Sequence, residues 1–161
     1  TIIKPNIQKS KISIFVILAS WLVFFPNAPY ILTDLFHLNQ KTSVPIWFDL
    51  ILILSFAWTG LLFGFLSLLD IEHLLSKYFK QKYISIISTT LLFLGSFGIY
   101  IGRYLRWNSW DIITEPFKLI YDISDRIINP LSHTRTWGMT IIMGLFLNMV
   151  YWSLRLIKKR S

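Results

Sequence analysis

The chain has 161 residues, of which 54% are hydrophobic and 15% charged, with no cysteine and a formal net charge of +8. Soluble domains carry about 25% charged residues, so this composition is typical of a membrane protein. It excludes intrinsic disorder, a disulfide scaffold and a cysteine-ligated metal centre. The basic residues lie at the ends of apolar stretches, which indicates membrane topology and attraction to lipids and not binding of nucleic acid.

Four apolar stretches predict membrane-spanning helices, because a helix needs about 20 apolar residues to cross a bilayer. The second stretch is the most regular, and Asp49 is its single charged residue. We therefore predict an all-α fold, a polytopic transmembrane helix bundle with at least four spans in one domain. The expected spans are residues 12–32, 47–69, 84–102 and 137–157.

The first span is expected to be broken by proline. Only about 21 Å of helix precedes Pro26, less than the roughly 30 Å of a bilayer core. Pro26 and Pro29 lack the amide hydrogens that would bond the carbonyls of Leu22 and Phe25. Such backbone is tolerated in a membrane only when it is buried in protein or lines a wet cavity. We predict a broken helix with a short second piece over Tyr30–Leu38.

An amphipathic helix is predicted over residues 114–129, after the third span. Pro116 suits its first turn and Pro130 follows its end. The helix is expected at the membrane surface, against lipid, against its own bundle, or against a partner protein or second copy of the chain. Its polar positions are Asp111, Glu115, Lys118, Asp122, Asp125, Arg126 and Asn129, and its apolar positions are Ile113, Phe117, Ile120, Ile127 and Leu131.

The distribution of Lys and Arg predicts the orientation, since short cytoplasmic loops are enriched in both. Basic residues precede the first span, follow the second span and follow the fourth. The segment after the third span has acidic residues that offset its basic ones, so we place it outside. This predicts a multi-pass protein of the bacterial inner membrane with a cytoplasmic C-terminus.

The same topology brings polar residues of all four spans to the outer side. Ionisable residues at a membrane border are costly and therefore suggest a function. They either form a binding site or only solvate the interface and the carbonyls of the broken helix. Asp49 with Arg103 is the expected ion pair. The candidate ligand-binding residues are Asn27, Tyr30, Asp49, Arg103, Arg106, Trp107, Asn108, Trp110 and Asp111.

Two acidic–histidine pairs are weaker candidates for chemistry. Asp34 and His37 are three residues apart and would share a helix face, which makes them the candidate catalytic residues. Two such residues do not define a metal site, so no metal is predicted. Glu72 and His73 are expected to be loop or interfacial residues on the inner side.

Glycines at a spacing of four occur on the second and third spans. Gly60 and Gly64 form one pair, and Gly98 and Gly102 form the other. Small residues at this spacing let two helix backbones approach closely. We therefore assign these four glycines to helix packing.

Three stretches of sequence resemble one bacterial family, the domain of unknown function 1361. They are WLVFFPNAPYILTDLFHL, WFDLILILSFAWTGLLFGFLSL and GIYIGRYLRWNSWD. The resemblance covers most of the chain and implies a multi-pass inner-membrane protein. Family members often have more than four spans, which implies a further span upstream of Thr1. No activity, cofactor or catalytic residue follows from the resemblance.

No motif of the common enzyme classes occurs in the chain. The leading hypothesis is a non-catalytic membrane subunit or binding protein without a cofactor, whose outer polar residues hold a partner chain or an anionic headgroup. The alternative is a membrane enzyme acting on a lipid-linked or phosphorylated substrate, with Asp34 or His37 as general base and Arg103 and Arg106 holding phosphate. A small transporter is the third.

Overall fold

The computed structural model describes residues 11–37 and 45–160 as helices joined by short turns. No strand occurs in these residues, which confirms the all-α prediction. A 3-10 helix over Ile31–His37 follows α2. The α-helices are α1 (Lys11–Phe24), α2 (Asn27–Tyr30), α3 (Ile46–Ser76), α4 (Gln81–Leu105), α5 (Asp111–Thr114), α6 (Pro116–Ile128) and α7 (Thr134–Arg160).

Three helices, α3, α4 and α7, are long and apolar enough to cross a membrane, and α1 is a shorter apolar helix. α4 is the central helix, because half of its most apolar window is buried inside the protein. It packs most extensively along α7. The two ends of this bundle are called below the Trp107 end, where α4 ends, and the Glu72 end, where α4 begins.

The predicted break at Pro26 is present, since α1 ends at Phe24 and the chain continues as α2. The buried ring of Phe25 fills the space next to two glycines. A Cβ atom added at Gly64 would lie 2.9 Å from this ring, and one added at Gly95 would lie 2.8 Å from it. At Gly98, an added Cβ would lie 2.8 Å from Pro26. Gly64 and Gly98 therefore admit side chains of the broken segment, and the expected close approach of two helix backbones is wrong for them.

The hydrophobic core lies between α3, α4 and α7 and includes Phe65, Leu92, Leu147 and Tyr151. The opposite face of α3 exposes large apolar side chains such as Phe63. Exposed apolar surface of this extent suits a hydrocarbon solvent. The distribution of side chains thus agrees with the membrane-like composition.

Helix α6 exposes large apolar side chains, whereas an amphipathic helix on a soluble domain buries them. Phe117, Tyr121 and Ile128 are 86%, 72% and 73% exposed. The charged residues Asp122 and Arg126 face the protein, and Arg126 is buried. Large apolar side chains of α6 therefore point away from the bundle, whereas Leu119 and Ile123 face it beside Asp122 and Arg126.

Candidate functional site

A cavity of about 580 Å³ lies at the Trp107 end, between the broken first helix, α4, α6 and the start of α7. Along α4 it extends from Thr90 to Gly102, about 18 Å at the helical rise per residue. Its wall is almost entirely apolar, with contributions from Phe93, Phe97 and Ile123. We call it the apolar cavity. Its volume is in the range that encloses small organic ligands, about 300–1,000 Å³.

Polar groups border the apolar cavity where α4 ends. The side-chain amide of Asn27 donates to the hydroxyl of Ser109 over 3.2 Å, and that hydroxyl donates to the carbonyl of Val23 over 3.1 Å. Ser109 thus gives the Val23 carbonyl, near the break, a hydrogen-bond partner. The backbone N–H of Asn108 donates to the Asp111 carboxylate over 2.6 Å. Asn27, Asn108 and Ser109 all line the cavity.

Arg106 ends α4 in the left-handed conformation, with φ 60° and ψ 29°. The amides of Arg106 and Trp107 both bond back to the carbonyl of Ile101. This conformation usually belongs to glycine, since a Cβ atom costs roughly 1–2 kcal/mol there. The Arg106 side chain is exposed and makes no ion pair within the part of the chain that the structure describes. Its charge remains available next to Trp107 and Asn108, which line the cavity.

Arg103 pairs with Asp34 at 2.7 Å, and the expected pair with Asp49 is not formed. Arg103 also donates to the Thr33 carbonyl over 3.1 Å and lies over the Tyr30 ring at 5.4 Å. These contacts join the 3-10 helix to α4. Neither Arg103 nor Asp34 lines the apolar cavity, whereas Tyr30 does.

The remaining candidate residues are distributed around this end of the bundle. Trp107 lines the cavity, Asp111 caps the preceding turn, and Trp110 is 70% exposed. Asp49 lies in the first turn of α3 and does not line the cavity. The side chain of His37 lies outside the described residues.

Two tryptophans attach α6 to the bundle as one wall of the cavity. Trp107 Nε1 donates to Asp122 over 2.8 Å, and Trp137 Nε1 donates to the Arg126 carbonyl over 3.2 Å. Lys118 lies 5.5 Å from the Trp107 ring. Several charged residues of α6 are therefore engaged within the chain.

Asp125 anchors the end of α6 to the following turn. Asn129 donates to its Oδ1 over 2.8 Å, and His133 Nε2 lies 2.8 Å from its Oδ2. The hydrogen bond from Asn129, and next that from His133, lowers the pKa of the Asp125 carboxyl below its usual value. The carboxylate form thus stabilises this corner.

Thr140 is a polar cavity residue that the sequence reasoning missed. It is 5% exposed, and its hydroxyl has no hydrogen-bond partner among the described residues. A buried hydroxyl without a partner costs about 1–3 kcal/mol. Thr140 lines the cavity nearly two turns into α7, so a ligand there could accept its hydrogen bond. Threonine on an apolar helix carries no pattern that would have indicated this.

The structure places Glu72 in a helix and not in a loop, and its interfacial position stays a prediction. It lies near the end of α3 and is 7% exposed. Its carboxylate accepts from Ser88 over 2.5 Å and pairs with Arg155 at 3.1 Å. His73, the neighbouring residue, is exposed. Glu72 and Arg155 are 83 positions apart, so spacing could not have paired them.

The described residues contain no group of three histidine or acidic side chains that could hold a metal ion. One family model, described as a protein of unknown function (DUF1361), matches residues 2–150. The chain belongs to the DUF1361 family. No curated protein and no solved structure matches it. The membership agrees with the resemblance of the three sequence stretches, and the DUF1361 family description assigns no activity.

Proposed function

We propose that this protein is a non-catalytic lipid-binding protein or subunit of a membrane. The apolar cavity takes a hydrocarbon chain of a membrane lipid, and the polar groups at the Trp107 end hold its headgroup. The observation that carries this proposal is the shape and chemistry of the cavity, an apolar channel about 18 Å long with Asn27, Asn108 and Ser109 at one end.

Charge and hydrogen bonding favour an anionic lipid. Arg106 is unpaired in the described part of the chain and next to the cavity residues Trp107 and Asn108, so its guanidinium can bind a phosphate. Thr140 lies deeper in the cavity and offers a hydroxyl without a partner. A lipid ester carbonyl below the headgroup would accept this hydrogen bond.

The exposed apolar face of α6 supports lipid, and not a protein partner, as its neighbour. The charged side chains of Asp122 and Arg126 form hydrogen bonds within the chain. Most of the outward side chains, such as Phe117 and Ile128, are apolar, and the outward Lys118 is paired with Glu115. Helix α6 would then separate the cavity from the surrounding bilayer, and a second copy of the chain against α6 is an alternative outcome.

The enzyme alternative receives less support. It requires Asp34 as a free base and Arg103 as a phosphate ligand, yet the two side chains neutralise each other at 2.7 Å. Neither lines the cavity. If the alternative were correct, Asp34→Asn would abolish turnover while leaving lipid binding and protein amounts unchanged.

Lipid retention tests the proposal. The full-length protein is purified from its native membrane in mild detergent, and bound lipids are quantified by mass spectrometry. Ile123→Trp fills the cavity, and Ile120→Trp is the matched control on the exposed face of the same helix. We expect the first variant to lose bound lipid at least about fivefold and the second to retain it, because only Ile123 lines the cavity.

A second pair of variants tests the headgroup. Arg106→Gln removes the charge and keeps the left-handed strain, whereas Arg106→Lys keeps both. We expect anionic lipid to be lost only from the first. Wild-type protein without bound lipid, or equal retention by the Ile123 and Ile120 variants, would overturn the proposal.

We further propose the bacterial inner membrane with the Glu72 end in the cytoplasm. Support comes from Lys77, Lys80, Lys82 and Lys158, which make that end basic as the positive-inside rule requires. The chain has no cysteine, so Lys82→Cys and Ser132→Cys give single labelling sites without further changes. A membrane-impermeant maleimide added to spheroplasts should label only Ser132→Cys, and the reverse pattern would contradict this orientation.

A further inference from the structure

A second cavity of about 650 Å³ lies at the Glu72 end, between the ends of α3 and α7 and the beginning of α4. We call it the Glu72-end cavity. No residue of its wall also lines the apolar cavity at the other end of the bundle. Polar and apolar groups share its wall, in contrast to the apolar cavity. Its polar residues are Glu72, His73, Ser76, Gln81, Ser85, Arg155 and Lys158.

We propose that the Glu72-end cavity binds the phosphate of an anionic membrane phospholipid. The polar side of its wall is rich in donors. Arg155, Lys158 and the amide of Gln81 can all donate, and Arg155 and Lys158 outnumber the single carboxylate of Glu72. Phosphate accepts such donors, and basic pockets between helices at the cytoplasmic side of membranes bind anionic lipid headgroups.

The carboxylate of Glu72 does not oppose an anion, because its charge is already compensated. Arg155 Nη2 lies 3.1 Å from Oε2, and the Ser88 hydroxyl donates to Oε1 over 2.5 Å. Glu72 is only 7% exposed. Lys158 is exposed at the rim and makes no ion pair with the described residues, so its charge attracts the ligand.

Contacts with neighbouring side chains orient the guanidinium of Arg155 and leave some of its N–H groups able to bind a ligand. Its Nη1 donates to Ser85 over 3.3 Å, and its guanidinium lies 4.5 Å from the centre of the Trp152 ring. An arginine has five N–H donors, and these contacts do not use all of them. Stacking on tryptophan reduces the rotamer entropy that ligand binding would otherwise cost.

The apolar side of the wall favours a lipid over a free phosphate. It consists of Leu69, Trp152 and Leu156, on helices α3 and α7. Leu156 is 63% exposed, and Trp152 belongs to the residue type that collects at membrane interfaces. A phospholipid would place its phosphate among the donors and its glycerol and first methylenes on these three side chains.

The experiment measures phosphatidylglycerol bound to the purified full-length protein in mild detergent by native mass spectrometry. Phosphatidylethanolamine with the same acyl chains is the reference for headgroup charge. Lys158→Gln removes a charge from the wall, and Lys82→Gln removes one at the same end outside it. We expect a preference for phosphatidylglycerol that falls at least about fivefold in the first variant and less than about twofold in the second.

Repeating the measurement in the Ile123→Trp protein separates this site from the apolar cavity. We expect the Lys158-dependent binding to persist there, whichever ligand the apolar cavity takes. Equal losses in the Lys158 and Lys82 variants would show general surface attraction and overturn the proposal, as would the absence of a preference for phosphatidylglycerol. Displacement of the lipid by millimolar inorganic phosphate would overturn the assignment to a lipid.

Discussion

Arg103 is the side chain that ties the broken first helix to the centre of the bundle. Its side chain is 13% exposed, against 44% for its partner Asp34. It also donates to the carbonyl of Thr33 and to the hydroxyl of Tyr30. The ion pair is thus accompanied by at least two further polar contacts between Arg103 and the segment after Pro26. Loss of the arginine removes more than loss of the aspartate.

We expect Arg103→Met to lower the free energy of unfolding by about 2–3 kcal/mol, because it leaves a carbonyl and a carboxylate without a partner. Asp34→Asn keeps a hydrogen-bond acceptor at an exposed position and should cost about 1 kcal/mol. Unfolding in mixed micelles with increasing sodium dodecyl sulfate measures both. A larger effect of Asp34→Asn would contradict this order.

Asp125 predicts a pH dependence of stability. Hydrogen bonds from Asn129 and His133 lower its pKa in the folded state below the usual value of 3.8. The stabilisation is therefore complete above the usual pKa and is lost as the pH falls through the lowered one. Asp125→Asn should flatten the decline of the melting temperature below about pH 4, since the titrating carboxyl is gone.

Asp70→Asn is the control for this measurement, because Asp70 is an exposed carboxylate that makes no ion pair with the described residues. We expect the melting temperature of the Asp70→Asn protein to decline at low pH as that of the wild type does, in the same detergent. If the Asp125 and Asp70 variants changed this decline equally, the hydrogen bonds of Asp125 at the end of α6 would not be the cause of the pH dependence.

The helices themselves could largely be predicted from the sequence, and the faces that they present could not. Hydropathy and proline positions indicated α3, α4, α7 and the break at Pro26, because the length of a span and the missing amide are local properties. For α6, the pattern indicated two faces without their direction. Asp122 of α6 turns inward, where its carboxylate accepts a hydrogen bond from Trp107.

Glycines on α4 and α7 give a graded test of helix packing. We expect Gly95→Ala to cost about 1–3 kcal/mol, because the added Cβ would lie 2.8 Å from the Phe25 ring. Gly144→Ala, whose added Cβ would meet the Phe93 ring, should cost at least as much. Unfolding in mixed micelles measures each variant.

Gly138→Ala is the matched control, since no atom lies within 4 Å of its added Cβ. Alanine favours a helix over glycine by up to about 1 kcal/mol, so this variant should be neutral or more stable. A loss of stability at Gly138 equal to that at Gly95 would mean that Phe25 does not occupy the space described.

For the whole molecule, α3 has one side buried in protein and one exposed side whose apolar surface suits hydrocarbon. Phe65 is 1% exposed in the core, and Phe63, two residues away, is 69% exposed. Lipid tails are as apolar as a phenylalanine side chain, so burial against them adds little to folding. Stability should therefore depend on Phe65 far more than on Phe63.

We expect Phe65→Ala to cost about 3–5 kcal/mol through the cavity that it leaves, and Phe63→Ala to cost less than about 1 kcal/mol. The comparison is made by unfolding in micelles and repeated in bilayer nanodiscs. A large loss with Phe63→Ala would place this face against protein, either a second copy of the chain or a partner.

The candidate sites could be predicted only in part from the sequence, because their side-chain contacts depend on how the helices pack together. Asn27, Tyr30, Trp107 and Asn108 line one cavity, and their role in binding stays a prediction. The choice of Asp34 over Asp49 as the partner of Arg103 depends on the path of the 3-10 helix. The Glu72–Arg155 pair depends on the packing of α3 against α7, which no local pattern encodes.

The hydrogen bond between Ser109 and Val23 joins residues 86 positions apart, and this bears on the order in which the protein is made. Synthesis proceeds from the N-terminus, so α1 leaves the ribosome long before Ser109 exists. Until then the Val23 carbonyl has no protein partner and needs water. Helix α1 is synthesised before α3 and α4, yet we expect it to settle after both of them.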